Sequence, residues 1–347
     1  MSETRPVRTG EEIPLDALNG WLTVSVPQVG VVRHVAQYPG GFSNLTYRLG
    51  TSTGEWVLRR PPRGVGHGPA HNMAREFNIM SVLASRGVAV PRPVALCDDD
   101  TLIGAPFYVM ERVQGMILRA APDPAPSAVQ LRALSESFVH TLASIHAIGA
   151  EDPAIAALGK PTGYVARQVA GWTQRWEASR IDPVPAMDAV AEWLAAHQPA
   201  DAGSVLVHND FKYDNLVLDP ADPSRIVAVL DWEMATLGDP LLDLGTAMGY
   251  WIEAGDHPAF RALGLGVTAL PGNFTRAELW TRYLTVSGRG PVDPTFYRIF
   301  GLFKIAVIAQ QIFARYRVGL ASDPRFARLG DAVALLAATA SAALPTD

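Results

Sequence analysis

The sequence predicts an α+β protein in two parts. Residues 1–112 form a small β-rich part with one main helix, and residues 113–347 form a larger, mainly helical part. Three observations lead there. Short apolar-polar runs separated by Gly and Pro crowd the first hundred residues or so. Long stretches with apolar residues at spacings of three and four fill the second half. The length of 347 residues exceeds what one average core organises.

In the first part, residues 31–38 make an apolar-polar run that Pro39-Gly40-Gly41 breaks and residues 45–49 resume. Thr51-Ser52-Thr53-Gly54 is turn chemistry, and residues 55–60 read as a third strand. Residues 61–69 form a loop rich in Gly, Pro and His. A helix is expected over Met73–Ser85, with Phe77, Met80, Val82 and Leu83 on its buried side, and Gly87 stops it. Two further strands, 91–96 and 106–112, flank the turn at Asp98-Asp99-Asp100. Gln114-Gly115 reads as a linker in a hinge near 111–115. Beyond it, Leu131, Leu134, Phe138, Leu142 and Ile145 mark a long helix over 127–148. Helices are also expected over 165–179, 187–196, 240–252, 276–286, 294–318 and 324–343. No internal repeat is visible.

Composition excludes several classes. Charged residues make up 18% of the chain, the net charge is −5 and no basic block occurs, so no nucleic-acid surface is expected. The single cysteine, Cys97, rules out an internal disulfide and reads as a small buried apolar residue. Met1-Ser2-Glu3-Thr4-Arg5-Pro6 lacks the charged-then-apolar pattern of a signal peptide, and no uninterrupted apolar run reaches the ~18 residues of a membrane span. The expectation is a cytoplasmic protein with no membrane partner.

The chemistry is concentrated in residues 205–233. An apolar strand, Val205-Leu206-Val207, runs into His208-Asn209-Asp210-Phe211-Lys212-Tyr213-Asp214-Asn215. A short apolar strand follows, then a turn, then Ile226-Val227-Ala228-Val229-Leu230-Asp231-Trp232-Glu233. His208, Asp210 and Asn215 have nearly the spacing of a kinase catalytic loop, H-x-D-x-x-x-x-N, and Asp231 lies sixteen residues beyond Asn215. An H-x-D triplet alone is common and is explained by a turn with an Asp cap. Apolar strands on both sides supply the context that the motif requires. The order brings together a carboxylate, an amine, a carboxamide and a second carboxylate, the set needed for phosphoryl transfer from a magnesium nucleotide.

Asp210 is the candidate catalytic base. A carboxylate cannot fully deprotonate an alcohol near neutral pH, so its work is orientation and late proton acceptance. The plain alternative is a loop carboxylate that caps amides. Lys212, two residues on in an extended loop, can face the same side and neutralise the moving phosphoryl, or be a solvated lysine. Asn215 and Asp231 suit a hard cation such as magnesium, although each alone is ordinary turn chemistry. His208 reads as structural, its ring bonded to the loop backbone. Asp239-Pro240 is a helix-entry signal. Asp243, in the first turn or so of an apolar helix, is expected to hydrogen-bond the catalytic loop.

In the first part, Gly40-Gly41-Phe42-Ser43-Asn44 lies between two strands, where backbone N–H groups can approach phosphates. A bare hairpin turn explains it equally well. Arg59 can pair with phosphates and with Glu76, or form an ordinary surface ion pair. No P-loop, H-E-x-x-H or G-x-S-x-G pattern occurs. Gly264-Leu265-Gly266-Val267-Thr268-Ala269 fits G-x-G-x-x-A but lacks the preceding strand.

These residues resemble the aminoglycoside phosphotransferase-like kinases, a branch of the bilobal protein-kinase-like fold that includes choline and homoserine kinases. The match covers nearly the whole chain and is most specific over 208–215 and 228–243. Val227-Ala228-Val229-Leu230-Asp231-Trp232-Glu233, continued by Leu237-Gly238-Asp239-Pro240, looks like the subgroup fused to acyl-CoA dehydrogenases. The resemblance implies ATP in a cleft, a small-molecule hydroxyl as acceptor, Asp210 as base, and Asn215 and Asp231 as Mg2+ ligands. It implies cofactor contacts from Gly41, Ser43, Asn44, Arg59 and Glu76, and a hinge at Glu111 and Val113 whose backbone meets the nucleobase. Two positions depart from the family pattern. Asn209 replaces the usual Gly between His and Asp. Arg59 replaces the third-strand Lys, keeping the charge but changing its geometry and putting the pairing with Glu76 in doubt.

The leading reading is an ATP- and magnesium-dependent small-molecule O-phosphotransferase. A hydroxyacyl acceptor is favoured by subgroup resemblance alone. An aminoglycoside acceptor is the runner-up, but a polycation favours a strongly acidic pocket, and the acids after Asp243 are scattered (Glu253, Asp256, Glu278, Asp293). Trp251, Trp280, Phe296, Phe300 and Phe303 form either an apolar acceptor wall or core. A protein kinase is disfavoured because no activation segment separates Asp231 from Asp239. A nucleotide-binding regulatory pseudokinase is the alternative from another class, and the complete set Asp210, Asn215 and Asp231 argues against it.

Overall fold

Alternation of buried and outward side chains builds the first sheet. The structure, a computed structural model, describes residues 3–39, 44–62, 71–160, 162–264, 266–321 and 323–345. Five strands, β1 (Val32–Gln37), β2 (Leu45–Thr51), β3 (Glu55–Arg60), β4 (Pro93–Cys97) and β5 (Phe107–Glu111), form an antiparallel sheet in the order β1-β2-β3-β5-β4. Leu45, Tyr47 and Leu49 point to one face of β2, and all are buried. Register places Tyr47 opposite Leu58 and Thr46 opposite Arg59. Cys97 is buried in this core, as expected, with its thiol free of any disulfide and donating to the Asp99 carbonyl at 3.9 Å. Most of the loop expected over 61–69 lies outside the described residues.

Sequence reading expected no helix before residue 73, and the structure corrects this. Helix α1 (Leu15–Ser25) inserts Leu18 and Leu22 into the first core. Their spacing of four is a helical signal, but it is short and sits among strand-like residues. Helix α2 (Met73–Ser85) starts at Asn72, whose side chain accepts from the Arg75 amide, and buries Glu76, Ile79, Met80 and Leu83. A single turn, α3 (Asp100–Ile103), fills the acidic segment before β5.

The chain divides into two compact units. Residues 1–115 together with Val227–Ala235 form the first, and residues 116–226 with 236–347 form the second. The return of Val227–Ala235 to the first unit is anchored by the Val229 amide on the Ala89 carbonyl (2.8 Å) and by Arg75 on the Glu233 (3.2 Å) and Ala235 carbonyls.

The second unit contains helices α4 (Ala128–His146), α5 (Pro153–Ala156), α6 (Tyr164–Ser179) and α7 (Pro185–Ala196), then strands β6 (Val205–Val207) and β7 (Leu216–Leu218). After β8 (Ile226–Val229) and the excursion to the first unit, β9 (Thr236–Gly238) pairs antiparallel with β6. Helices α8 (Pro240–Tyr250), α9 (Pro258–Arg261), α10 (Arg276–Val286), α11 (Thr295–Arg317) and α12 (Leu329–Ala342) complete it. Helix α4 opens on a capping box, Ser127 with Gln130, and α10 on another, Thr275 with Glu278.

The core of this unit is the crossing of α8 and α11. A Cβ added at Gly301 would stand 2.1 Å from the Gly245 carbonyl oxygen, and one at Gly245 would stand 2.3 Å from the Tyr297 carbonyl oxygen. The two backbones therefore touch, which only glycine permits. Among the described residues α11 is the one helix long and apolar enough to cross a membrane, yet 72% of its apolar window is buried inside the protein. It reads as a core helix, apolar around most of its circumference. Trp251, Trp280, Phe296, Phe300 and Phe303 are all buried, so packing accounts for them.

Candidate functional site

The loop after β6 is shaped by one buried carboxylate. Asp239 caps α8, accepting from the Leu241 and Leu242 amides at 2.9 Å, with Pro240 at the first helical position. One turn on, Asp243 is 1% exposed. Its Oδ2 accepts from the His208 amide at 2.7 Å and its Oδ1 from the Asn209 amide at 2.8 Å. His146 Nε2 adds a third contact at 3.1 Å, and the other ring nitrogen meets the Tyr283 hydroxyl at 2.6 Å. Burial pushes the Asp243 carboxyl up, but the His146 hydrogen bond and nearby positive charge outweigh it and hold it below the usual carboxylate range.

Pinned in this way, the loop bends through Asn209, whose φ is +67°. Asn tolerates the left-handed region better than most non-glycine residues. The Asp210 amide then donates to His208 Nδ1 at 3.2 Å. The Asp210 carboxylate is gripped from two sides: Lys212 Nζ reaches Oδ1 at 3.0 Å, and Asn215 Nδ2 reaches Oδ2 at 2.9 Å while also donating to the Asp210 carbonyl at 2.8 Å. The Lys212 ammonium also lies 4.3 Å from the ring centroid of Tyr250. Burial pulls the Lys212 ammonium down, but Tyr250 and Asp210 more than offset this, so it stays charged. With its amide nitrogen used on Asp210, Asn215 keeps its oxygen available for a cation.

The first unit holds a second charged cluster. Arg59 Nε lies 3.2 Å from Glu76 Oε2, and Arg59 Nη2 lies 2.8 Å from Asp231 Oδ1 and 2.9 Å from Glu233 Oε2. The doubt over Arg59 and Glu76 is removed, since the pair forms with an arginine in the lysine's place. Burial raises the Glu76 carboxyl despite the guanidinium beside it. Burial opposes the charge on Arg59, but Glu76 and Asp231 hold its pKa well above the ordinary value. Asn44 Nδ2 donates to Glu233 at 3.0 Å, and its Oδ1 meets His71 Nδ1 at 3.0 Å. Asp231, like Asn209, has a φ of +67°, and these two are the non-glycine residues with positive φ among the described residues. Backbone strain at just these loops is a functional signal.

The structure thus brings Asp210, Lys212 and Asn215 together under His208 and Asp243, and separately brings Asn44, Arg59, Glu76 and Asp231 together. Glu111 ends β5 with its side chain exposed, and Val113 follows it in the segment after β5. Gly41 and Ser43 lie outside the described residues. Sequence reading missed Tyr250, Lys304, His146 and Glu233. Lys304 had a signal, because it is the one charge in the apolar run from Ile299 to Ala309. Tyr250 lies seven residues after Asp243, one helical face on. His146 and Glu233 had no such mark.

Comparison with known proteins gives the context. Residues 34–280 match the profile of the family described as "Phosphotransferase enzyme family". The chain is 35% identical over 325 residues to acyl-CoA dehydrogenase family member 10 from Mus musculus, covering 92% of this chain and 30% of that protein. The chain therefore spans less than a third of that relative. Homoserine kinase from Brucella anthropi is 24% identical over 234 residues, 65% of each chain. A crystal structure from Ralstonia eutropha, provisionally assigned as an aminoglycoside phosphotransferase, is 30% identical with a TM-score of 0.81, covering 96% of this chain and 98% of that one. Aminoglycoside phosphotransferase APH(4)-Ia, in ternary complex with ADP and hygromycin B, shares the fold at 15% identity and a TM-score of 0.61, covering 95% of this chain and 100% of that one. The fold is that of the aminoglycoside phosphotransferases, with an antiparallel sheet first and a mostly helical remainder.

Proposed function

The chain belongs to the phosphotransferase enzyme family, and on that premise we propose that it is a small-molecule kinase that transfers a phosphoryl group from ATP, with magnesium, to the hydroxyl of a small acyl compound in the cytoplasm. The observation that carries this reading is the Asp210 carboxylate, held by Lys212 and Asn215 in a loop whose backbone amides end on buried Asp243.

Asp210 orients the acceptor hydroxyl and takes its proton late in the transfer. Lys212 balances charge on the moving phosphoryl while holding Asp210 in place. Asn215, through its free amide oxygen, and Asp231, through its carboxylate, would hold Mg2+, which supplies neutralisation of the phosphate charge; a carboxamide oxygen and a carboxylate are the hard donors that this ion takes. In this reading residues 1–112 bind nucleotide. Arg59, steadied by Glu76, and Asn44 serve the phosphates with the backbone of Gly41 and Ser43, and the backbone at Glu111 and Val113 serves the base. Residues 113–347 bind the acceptor. The nucleotide reading is supported by the ADP in the APH(4)-Ia complex, and the acyl acceptor by the acyl-CoA dehydrogenase relatives.

The test is a phosphorylation screen with magnesium-ATP against hydroxyacyl-CoAs, free hydroxy acids, amino alcohols and aminoglycosides. Phosphorylation of a hydroxyacyl compound is expected. Aminoglycoside phosphorylation would move the acceptor class. Nucleotide binding indifferent to magnesium, with no turnover on any acceptor, would make the chain a regulatory binding module instead.

A further inference from the structure

Lys304 is the least expected group in the second unit. It lies in the middle of α11, is 1% exposed, and sits among Phe303, Ile305 and Ala306, all buried as well. Its ammonium donates to the Asn209 carbonyl at 2.7 Å and to Asn209 Oδ1 at 3.2 Å. The same asparagine meets the Tyr164 hydroxyl through its side chain (3.0–3.1 Å) and gives its amide to Asp243. Every polar group of Asn209 is therefore engaged, by residues from α6, α8 and α11. Asn209 is the left-handed residue immediately before Asp210.

A glycine at 209 would adopt this conformation without help. An asparagine there must be held, and the holding group is a cation recruited from 95 positions away along the chain. Its surroundings oppose the charge: burial pulls its pKa down to about 8, Lys212 and Arg175 of α6 push the same way, and Asp243 of α8 and Asp210 only partly offset them. The Trp172 ring of α6 lies 5.5 Å from it. An apolar residue of similar length would fill the same space without burying an ion. A buried ammonium that fixes the peptide entering a catalytic loop is a candidate for function.

We propose that Lys304 is a positioning residue for Asp210: its ammonium fixes the left-handed peptide at Asn209 and thereby aims the Asp210 carboxylate at the acceptor. The role rests on the phosphotransfer reading above, while the mechanical part, the loop fixed by a buried ammonium, stands on geometry alone.

The experiment compares the full-length wild type with Lys304→Met and Lys304→Arg by three measurements. The first is magnesium-ATP turnover, both with the acceptor that the screen selects and with water alone. The second is thermal stability, and the third is hydrogen exchange of the peptide spanning 206–212. For Lys304→Met, kcat should fall roughly 100-fold, the scale of a catalytic group misplaced by an ångström. KM for ATP should change less than about threefold, the melting temperature should hold or rise, and exchange in 206–212 should quicken about tenfold or more while that of α4 and α12 stays unchanged. Lys304→Arg, which keeps a cationic donor, should recover part of both kcat and protection. Wild-type kcat and wild-type exchange in Lys304→Met would overturn the proposal. So would losses matched by a fall in melting temperature and by faster exchange throughout, which would make Lys304 a packing residue. If Lys304→Met does not fold, Lys304→Arg decides: protection of 206–212 no better than in a Tyr164→Phe, Asn209→Ala double variant would refute the lock. If the wild type turns over ATP with no acceptor, water included, the phosphotransfer reading fails, and exchange in 206–212 decides the mechanical part by itself.

Discussion

Replacing Asp243 by asparagine keeps the shape of the side chain and removes its charge. The carboxylate now receives three donors in a site 1% exposed: the amides of His208 and Asn209 and Nε2 of His146. An amide has one acceptor oxygen. If that oxygen faces His208 and His146, as Oδ2 does now, its NH2 group faces the Asn209 amide, donor against donor. One orphaned buried donor costs about 1–3 kcal/mol, and the two surviving bonds lose their charge assistance, worth roughly 1 kcal/mol each. The sum is about 3–5 kcal/mol, a large share of the ~5–15 kcal/mol that separates folded from unfolded domains. Equilibrium urea denaturation followed by tryptophan fluorescence measures it, since Trp172, Trp176 and Trp251 are buried in the same unit. Asp243→Asn should lower the unfolding free energy by that amount at an unchanged slope, so the midpoint falls by that energy divided by the slope. A loss below about 1 kcal/mol, with the His208 and Asn209 amides exchanging as slowly as in wild type, would refute the claim that Asp243 holds the loop.

Other substitutions probe other links. Asp210→Ala should lower phosphotransfer by roughly 100- to 10,000-fold while leaving nucleotide affinity nearly unchanged; near-normal turnover in a coupled assay would remove Asp210 as base. Gly301→Ala drives a methyl against the Gly245 carbonyl oxygen, both on backbone, and should cost about 3 kcal/mol, read as a lowered melting temperature. Gly288→Ala, with nothing within 4 Å but a φ of +68°, should cost only about 1–2 kcal/mol, the price of the left-handed conformation. Lys304 titrates at about 8 in the folded protein, against ~10.4 for an exposed lysine. Between those values the unfolded chain holds the extra proton, so wild-type stability relative to Lys304→Met should rise with pH, by on the order of 3 kcal/mol overall, and level off below pH 8. Melting temperatures of both proteins across pH 7–10 check the sign.

How much of this was legible beforehand depends on range. Local patterns carried through: Arg276–Val286 is a helix over the residues that its periodicity marked, and α8 starts at Pro240 as its entry signal required. The order of His208, Asp210, Lys212 and Asn215 named the residues that the structure gathers around one carboxylate. Contacts made across long stretches of chain were not legible. His146 reaches Asp243 from 97 residues away, and Lys304 reaches Asn209 from 95. No periodicity encodes which polar atom a buried histidine or lysine meets, because that is set by how α4 and α11 pack on the rest of the unit. The clustering of Val227–Ala235 with the first unit was also hidden: its apolar strand and acidic end look the same in either setting, and only the partners Ala89 and Arg75 distinguish them.

In the proposed mechanism Asp210, Asn215 and Asp231 act on one magnesium nucleotide. The most direct test is transfer of labelled phosphoryl from ATP, titrated with Mg2+ in the wild type, Asn215→Ala and Asp231→Ala. Both variants should need far more Mg2+ for half-maximal transfer and lose most of their maximal rate, and chelation should silence the wild type. Wild-type rate and Mg2+ midpoint in either variant would contradict it.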